Sequence, residues 1–492
     1  AILMLPIVSL TLFLPLAGAA LILALPGPTA RTVHSIGIGT ASLTLVGALA
    51  MWLEGVSGAG FSQVEELEWI PAIGAAYRVG VDGISLPLVL LSAMLFLGAF
   101  IYASSLRERP RAYVALVLLL ETAAIGTFAA LDGILFYVFF EVSLVSMYFM
   151  IAGWGHEDRQ RAALMFFIYT LLGSLPLLLA ILGLYLGSPD PSFDRRAWIA
   201  NPPLEGAAAM WALVAMLVTF AVKIPAVPLH TWLPAAHVQA PTVGSVILAG
   251  IMLKFGTYGL VRFALQMTPE AFHEAGVVVL VFGVIGALYG AFAALAQTDL
   301  KRLVAYTSIN HMGYVIIGVA VAALALDPSV RATALDGAVL QMFSHGLVTG
   351  ALFFLVGMIQ ERAHTREMGE FGGLLKTVPL LGWSFMLAAF ASLGLPGLAH
   401  FPGEFQIFLG TLGSVPAAVV SILGLAIIAG TFLKAIRETF LGEPPSRWHS
   451  MPDLSLREVL ALAPLLVLTV ATGVAPSWVL DTIHRTTSAL VL

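Results

Sequence analysis

Long apolar stretches closed by short polar connections dominate the chain and set its expected elements. Nine stretches carry no Asp, Glu, Lys or Arg: 1–30, 32–53, 83–106, 162–189, 275–298, 303–326, 337–360, 405–433 and 459–480, with the helix in the eighth expected to begin near 412. Five more qualify apart from one internal charge: 112–131 with Glu121, 133–155 with Glu141, 206–224 with Lys223, 242–261 with Lys254 and 377–411 with Glu404. About 20 apolar residues suffice for a helix to cross a bilayer, so nine plus five predicts fourteen transmembrane helices. The longest polar connections, about 54–82, 187–205 and 441–457, are expected to be loops. None marks a break in composition, so 1–492 reads as a single transmembrane domain.

Positive charge tests that count, because cytoplasmic loops are enriched in Lys and Arg. Loops after odd-numbered helices hold Arg31, Arg107, Arg109, Arg111, Arg159, Arg161, Lys301, Arg302, Arg362, Arg366, Lys376, Lys434, Arg437, Arg447 and Arg457. The opposite side holds only Arg78, Arg195, Arg196, Arg331 and Arg485. Both termini are therefore expected on the periplasmic side. No cleavable leader pattern is expected before the first stretch.

Composition narrows the class further. Hydrophobic residues make up 59% and charged residues 10%, against about 25% charged in soluble domains. The 47 Gly and 27 Pro sit within apolar runs, as small residues and breaks do in packed membrane helices. The alternation of a β-barrel is absent, which leaves an all-α polytopic membrane protein. With 0 Cys the chain offers no disulfide, thiolate metal site or cysteine-ligated cluster, so redox chemistry is expected in another chain. A net charge of -5 without a basic stripe argues against nucleic acid. No phosphate-binding glycine loop and no nucleophile motif occurs.

An ionisable group near the bilayer centre costs at least about 2.5–3.5 kcal/mol and usually serves ion movement. The five internal charges are Glu121, Glu141, Lys223, Lys254 and Glu404. An acid close to a lysine keeps both charged, whereas separating them favours release of the lysine's proton. Two of these residues lie beside helix breaks. Lys223 precedes Pro225 and Pro228 in KIPAVPLHTWLP, and Glu404 follows Pro396 and Gly397 in GLPGLAHFPGEF. Proline removes a backbone donor, and open backbone at membrane depth is tolerated only where protein or water covers it. One broken helix per half, the seventh and the twelfth, resembles transporters built from inverted repeats. Helices 1–3 are placed at 1–106, the repeats, helices 4–8 and 9–13, at about 111–267 and 275–440, and the last helix at about 456–480. His311 and His345, each with hydroxyl or amide neighbours, suit a proton relay. His230 and His237 are read as organising the break, and Glu121 as an acid bonded to a neighbouring helix or a weak candidate for the relay.

Five segments carry a family resemblance: FFEVSLVSMYFMIAGWG at 139–155, VKIPAVPLHTWLPAAHVQAPTVGSVILAGIMLKFGTYGLVRF at 222–263, DLKRLVAYTSINHMGYVIIG at 299–318, QMFSHGLVTGALFFLVGMIQERAHTREM at 341–368 and GLPGLAHFPGEF at 394–405. In these the chain resembles the antiporter-like membrane subunits of respiratory complex I, within them the subunit M (chain 4) family of NADH-quinone oxidoreductase. The resemblance implies fourteen helices with two inverted five-helix repeats, each supplying a half-channel. It makes Glu141 the fifth-helix acid paired with Lys223, Lys254 the central lysine, His311 and His345 members of the polar axis, and Glu404 the exit group, where sister subunits usually carry lysine. It also implies no cofactor or metal in this chain, with flavin, iron-sulfur clusters and quinone in partner subunits. The expected surroundings are the bacterial inner membrane, other membrane subunits including sister antiporter-like ones, and lipid. Ser146, Ala236, Gln239 and the HFP at 400–402 depart from the usual pattern. A subunit of a multi-chain Na+/H+ antiporter and a relative of membrane-bound hydrogenases are the competing readings.

Overall fold

The computed structural model describes residues 6–58, 60–413 and 415–490. Residues 1–5 of the first expected stretch therefore lie outside the described residues. Thirteen described helices are long and apolar enough to cross a membrane: Ile7–Ala24, Ala30–Glu54, Ser85–Ser105, Pro110–Ala129, Gly133–Trp154, Arg159–Gly187, Gly206–Lys223, Thr242–Leu265, Pro269–Leu295, Leu300–Leu324, Pro328–Ala363, Pro416–Phe440 and Leu456–Val474. The fourteenth crossing is broken: Pro379–Ser392 and His400–Thr411 stand between the eleventh and thirteenth helices as two halves of one crossing. Crossings are numbered here in chain order, so this one is the twelfth. The chain is thus an all-α polytopic membrane protein.

Pairings between loops bear on the count independently of helix length. Arg78 pairs with Asp132 and Asp194, Arg196 with Glu66, and Arg262 with Asp82, joining connections that follow even-numbered crossings or residues at their edge. Arg366 pairs with Asp299, Arg447 with Glu370, Lys376 with Glu443, and Arg362 with Glu458, joining connections that follow odd-numbered ones. Loops of like parity meet only if every crossing is counted once, which fourteen crossings satisfy.

Helix starts follow their caps. Asp132 accepts from the amides of Ile134 and Leu135 at the fifth crossing, and Asp299 from those of Lys301 and Arg302 at the tenth. Ser455 and Glu458 form a reciprocal capping box at the fourteenth. The ninth and tenth crossings approach backbone to backbone: a Cβ on Gly313 would lie 2.5 Å from the Ala287 amide nitrogen. Such contact through small residues is how helices pack when lipid offers no hydrophobic driving force. The eighth crossing and the middle of the eleventh are buried in the bundle, whereas the first, second and sixth turn leucines such as Leu21, Leu43 and Leu179 outward.

Three regions differ from the sequence expectation. The connection 54–82 is an antiparallel hairpin, β1 (Ser62–Ile70) with β2 (Ala75–Val81). The connection 187–205 contains the short helix Arg195–Ala200. The last crossing ends at Val474, and a separate helix, Ser477–Thr487, follows. Its charges Asp481, His484 and Arg485 sit opposite buried Val479 and Ile483, a pattern of a helix lying along a surface rather than spanning. It is held by His484 Nδ1, 2.6 Å from Asp336, and by Thr487, which donates to the same carboxylate.

Candidate functional site

The two breaks place charge differently. In the seventh crossing Lys223 ends the first half, Pro225 and Pro228 occupy the interruption, and the second half runs Trp232–Gln239. The Trp232 indole donates to the Val222 carbonyl at 2.9 Å and so covers the opened backbone. The far end of that half is closed by Lys301, fully buried, whose ammonium donates to the Ala240 carbonyl at 2.6 Å. In the twelfth crossing Ser392 ends the first half, Pro396 and Gly397 fill the interruption, and Glu404 lies one turn into the second.

Lys254 sits between two π-helical turns of the eighth crossing, Leu248–Met252 and Leu260–Leu265. A π turn shifts the backbone hydrogen-bond register and can leave a carbonyl for a side chain. The Lys254 ammonium donates to the Ala249 carbonyl at 2.5 Å and lies 2.6 Å from His345 Nδ1.

From His345 the polar chain continues into the second half of the protein. The rings of His345 and His311 are 5.7 Å apart. His311 Nε2 meets the Ser392 hydroxyl at 3.1 Å, which leaves Nδ1 facing Glu404 Oε1 at 3.4 Å. Gln341 donates to the same Oε1 at 3.2 Å. His400 opens the second half-helix, with its ring 4.5 Å from that of His311 and its Nδ1 3.8 Å from Glu404 Oε1. Lys254, His311, His345, His400 and Glu404 are all shielded from the exterior. Among the described residues His345 Nε2, His311 Nδ1, His400 Nδ1 and Glu404 Oε2 make no hydrogen bond. These atoms lie in one cluster around the Glu404 carboxylate.

The structure therefore brings Lys254, His345, His311 and Glu404 together, as the sequence reading expected. Glu141 and Lys223 stand outside that cluster. Lys223 is buried with its ammonium 4.6 Å from the centre of the Phe140 ring and within range of the Glu141 charge, but no ion pair joins the two. Glu141 is half-buried near Tyr137 and Ser174. Glu121 is fully buried, and neither carboxylate oxygen has a hydrogen-bond partner, so the expected bond to a neighbouring helix is not made. His230 bonds Tyr289 at 3.1 Å and His237 stacks on Phe353 with centroids 4.5 Å apart, both beside the break.

Residues absent from the sequence-derived set are Ser392, Gln341, Lys301 and His400. Two sequence signals point to His400: the departure of HFP at 400–402 from the usual pattern, and a spacing four residues before Glu404 that puts the two on one helix face. Ligand atoms of His311, His400 and Glu404 lie within 4.8 Å of one another. A dication on two neutral imidazoles and one carboxylate would retain a net positive charge in the bundle interior, within reach of Lys254. The charge balance suits a shared proton better.

Comparisons with known proteins agree with this architecture. Residues 130–429 match the family model described as NADH:quinone oxidoreductase/Mrp antiporter, TM. The chain is 38% identical to NADH-quinone oxidoreductase subunit M of Rickettsia bellii (strain RML369-C) over 99% of each chain. It is 40% identical to the protein of the same name from Escherichia coli (strain K12), over 91% of this chain and 90% of that one. Among solved structures it superposes on a chain of respiratory complex I from Thermus thermophilus with a TM-score of 0.89, at 32% identity and 98% coverage of both.

Proposed function

The chain belongs to the subunit M family of NADH-quinone oxidoreductases, and from that premise we propose that it is a proton-translocating, antiporter-like subunit of a bacterial respiratory complex I. It holds no cofactor and performs no covalent chemistry. Flavin, iron-sulfur clusters and quinone belong to partner subunits, and quinone reduction there supplies the free energy. Its outward apolar faces meet lipid and the neighbouring membrane subunits of the inner membrane, sister antiporter-like ones among them. Both termini are placed on the periplasmic side by the distribution of Lys and Arg.

One observation carries the reading: buried titratable groups stand in sequence from Lys254 through His345 and His311 to Glu404, each within hydrogen-bond or one-water reach of the next. A proton leaves the Lys254 ammonium for His345 Nδ1, His345 gives one up at Nε2, and the imidazoles deliver it to the Glu404 carboxylate. Lys223 and Glu141 form the entry side, their separation setting whether Lys223 holds its proton. Two repeats at about 111–267 and 275–440 are supported by the position of the breaks, each in the fourth crossing of its repeat.

The test uses the assembled complex in inverted membrane vesicles, with NADH oxidation and proton uptake recorded together. Lys223→Ala and Glu404→Ala should each lower coupled proton uptake at least several-fold in complexes that still assemble. Near-normal uptake per NADH in those assembled variants would refute the assigned roles. A Na+/H+ antiporter subunit is the second reading, since the matching family model covers Mrp antiporters too. Flavin and iron-sulfur absorbance in the complex purified in mild detergent supports the first reading, and a flavin-free complex exchanging Na+ for H+ the second.

A further inference from the structure

Of the buried titratable residues around Glu404, His400 has no place in the path just described. It begins the half-helix that carries Glu404 and lies on the same face, i to i+4. Its ring lies 4.5 Å from that of His311 and 6.1 Å from that of His345, parallel to the latter within 8°. Its Nδ1 is 3.8 Å from Glu404 Oε1, against 3.4 Å for Nδ1 of His311. Both rings thus address one carboxylate oxygen from comparable distance. Other polar or charged groups near this cluster are Gln341, Ser392, Tyr314 and Lys254.

The two imidazoles differ in what holds them. His311 rides the tenth crossing and is tied through Nε2 to Ser392, the last residue of the first half-helix. His400 rides with its acceptor: four residues on one half-helix fix its relation to Glu404 regardless of how the first half sits. Among the described residues its Nδ1 makes no hydrogen bond and faces the Glu404 carboxylate.

We propose that His400 is a second proton carrier, parallel to His311, between His345 and Glu404. This rests on the proton-translocating reading above. On this branch His345 releases a proton from Nε2 toward a ring 6.1 Å away, and His400 takes one at Nε2 and releases one from Nδ1 to the carboxylate 3.8 Å from it, with water completing the path. Each step moves one proton and leaves His400 neutral afterwards. Two routes to one acceptor make either imidazole individually dispensable and the pair indispensable.

The experiment measures proton uptake per NADH oxidised in inverted vesicles carrying the whole complex, with His311→Gln, His400→Gln, the double variant, Glu404→Gln and Lys254→Met. Complex abundance is read from NADH dehydrogenase activity, and His400→Asn repeats the comparison with a shorter amide. Each single histidine variant should retain part of the uptake, and the double variant should fall to the level of Glu404→Gln. Uptake unaffected by His400→Gln, alone and on the His311→Gln background, while Glu404→Gln abolishes it, overturns the parallel carrier and leaves the translocation reading standing. So does a His400→Gln loss as complete as that of Glu404→Gln, which places the residue in series. Normal uptake in both Glu404→Gln and Lys254→Met overturns the translocation reading itself, and this inference with it.

Discussion

Two glycines in the twelfth-crossing break allow a controlled perturbation of Glu404. Gly394 has φ +81° and Gly397 φ +90°, conformations in which any side chain is strained by about 1–2 kcal/mol. The surroundings differ. A Cβ at Gly394 would sit 2.6 Å from Glu404 Oε2, whereas one at Gly397 meets nothing within 4 Å. Gly394→Ala and Gly397→Ala therefore carry similar backbone strain, and only the first displaces the carboxylate. Restoring ordinary contact at 3.4 Å requires that oxygen to retreat by about 0.8 Å, which turns the carboxylate whose other oxygen, Oε1, accepts from Gln341 at 3.2 Å. Misplacing a reacting group by about 1 Å can cost 10²-fold in rate. Assembled Gly394→Ala complexes should lose proton uptake per NADH by about tenfold or more, while Gly397→Ala shows only the reduced abundance common to both. The assay is fluorescence quenching by a pH-sensitive dye in inverted vesicles, normalised to NADH oxidation. Equal coupling in the two variants would refute the argument that Glu404 works from this pocket.

Three further outcomes follow from other parts of the molecule. Gly313→Leu should prevent close approach of the ninth and tenth crossings, since even its Cβ lies 2.5 Å from the Ala287 nitrogen. The expected result is loss of assembled complex on native gels, and a normal yield would contradict the packing. Arg362 donates to both oxygens of Glu458 at 2.7 Å, so Arg362→Ala should destabilise by about 1–3 kcal/mol, read as a lower dissociation temperature in detergent. At the hairpin, Arg78 holds the Glu66 carboxyl below its usual range, mainly by a hydrogen bond. Burial alone would raise Asp194, but its bonds with Arg196 outweigh that and leave it lowered too. Groups lowered by folding stabilise it above their unfolded values of about 4 and lose that contribution as pH falls through the folded ones. Amide protection factors over 62–81, corrected for the intrinsic exchange rate at each pH, should therefore be alike at pH 7 and 5 and fall near pH 3; unchanged protection at pH 3 would count against the ion-pair cluster.

Helix number, broken crossings and four members of the central cluster were legible because membrane burial leaves a strong one-dimensional record. Apolar length, proline position and isolated charge each report on one residue's environment, and Lys254 or Glu404 is conspicuous in such surroundings. What the linear pattern could not carry was contact between distant segments. Nothing in 62–81 alternates cleanly enough to announce the hairpin, which is fixed by Asp132 accepting from the Ala76 amide and from Arg78. The pairing of Glu141 with Lys223 rests on resemblance; in the structure the two are within electrostatic range, and the lysine ammonium lies over Phe140. Ser477–Thr487 overlaps the last apolar run, 459–480, because no charge interrupts the sequence before Asp481. Lys301 has the sequence position of an ordinary loop charge, yet it is buried against the Ala240 carbonyl.

The residue types along the path impose a direction on the energetics. A proton passed from a lysine ammonium to a glutamate carboxylate removes one positive and one negative charge, leaving both ends neutral. In a low-dielectric interior this is the favourable sense, because separated charges lose solvation while neutral groups do not. The return to a charged lysine and an ionised glutamate must then be driven, by proton entry from the side of Lys223 and release from Glu404 to the far side. A lysine in place of Glu404 would instead carry the positive charge along the path without removing it. Glu404→Lys should therefore differ from Glu404→Gln: the glutamine leaves no acceptor, whereas the lysine offers one that must take up a charge beside His311 and His400. Uptake per NADH in the lysine variant is expected above that of the glutamine variant and below the parent. Equal uptake in all three would mean that the carboxylate at this position takes no part in accepting the proton.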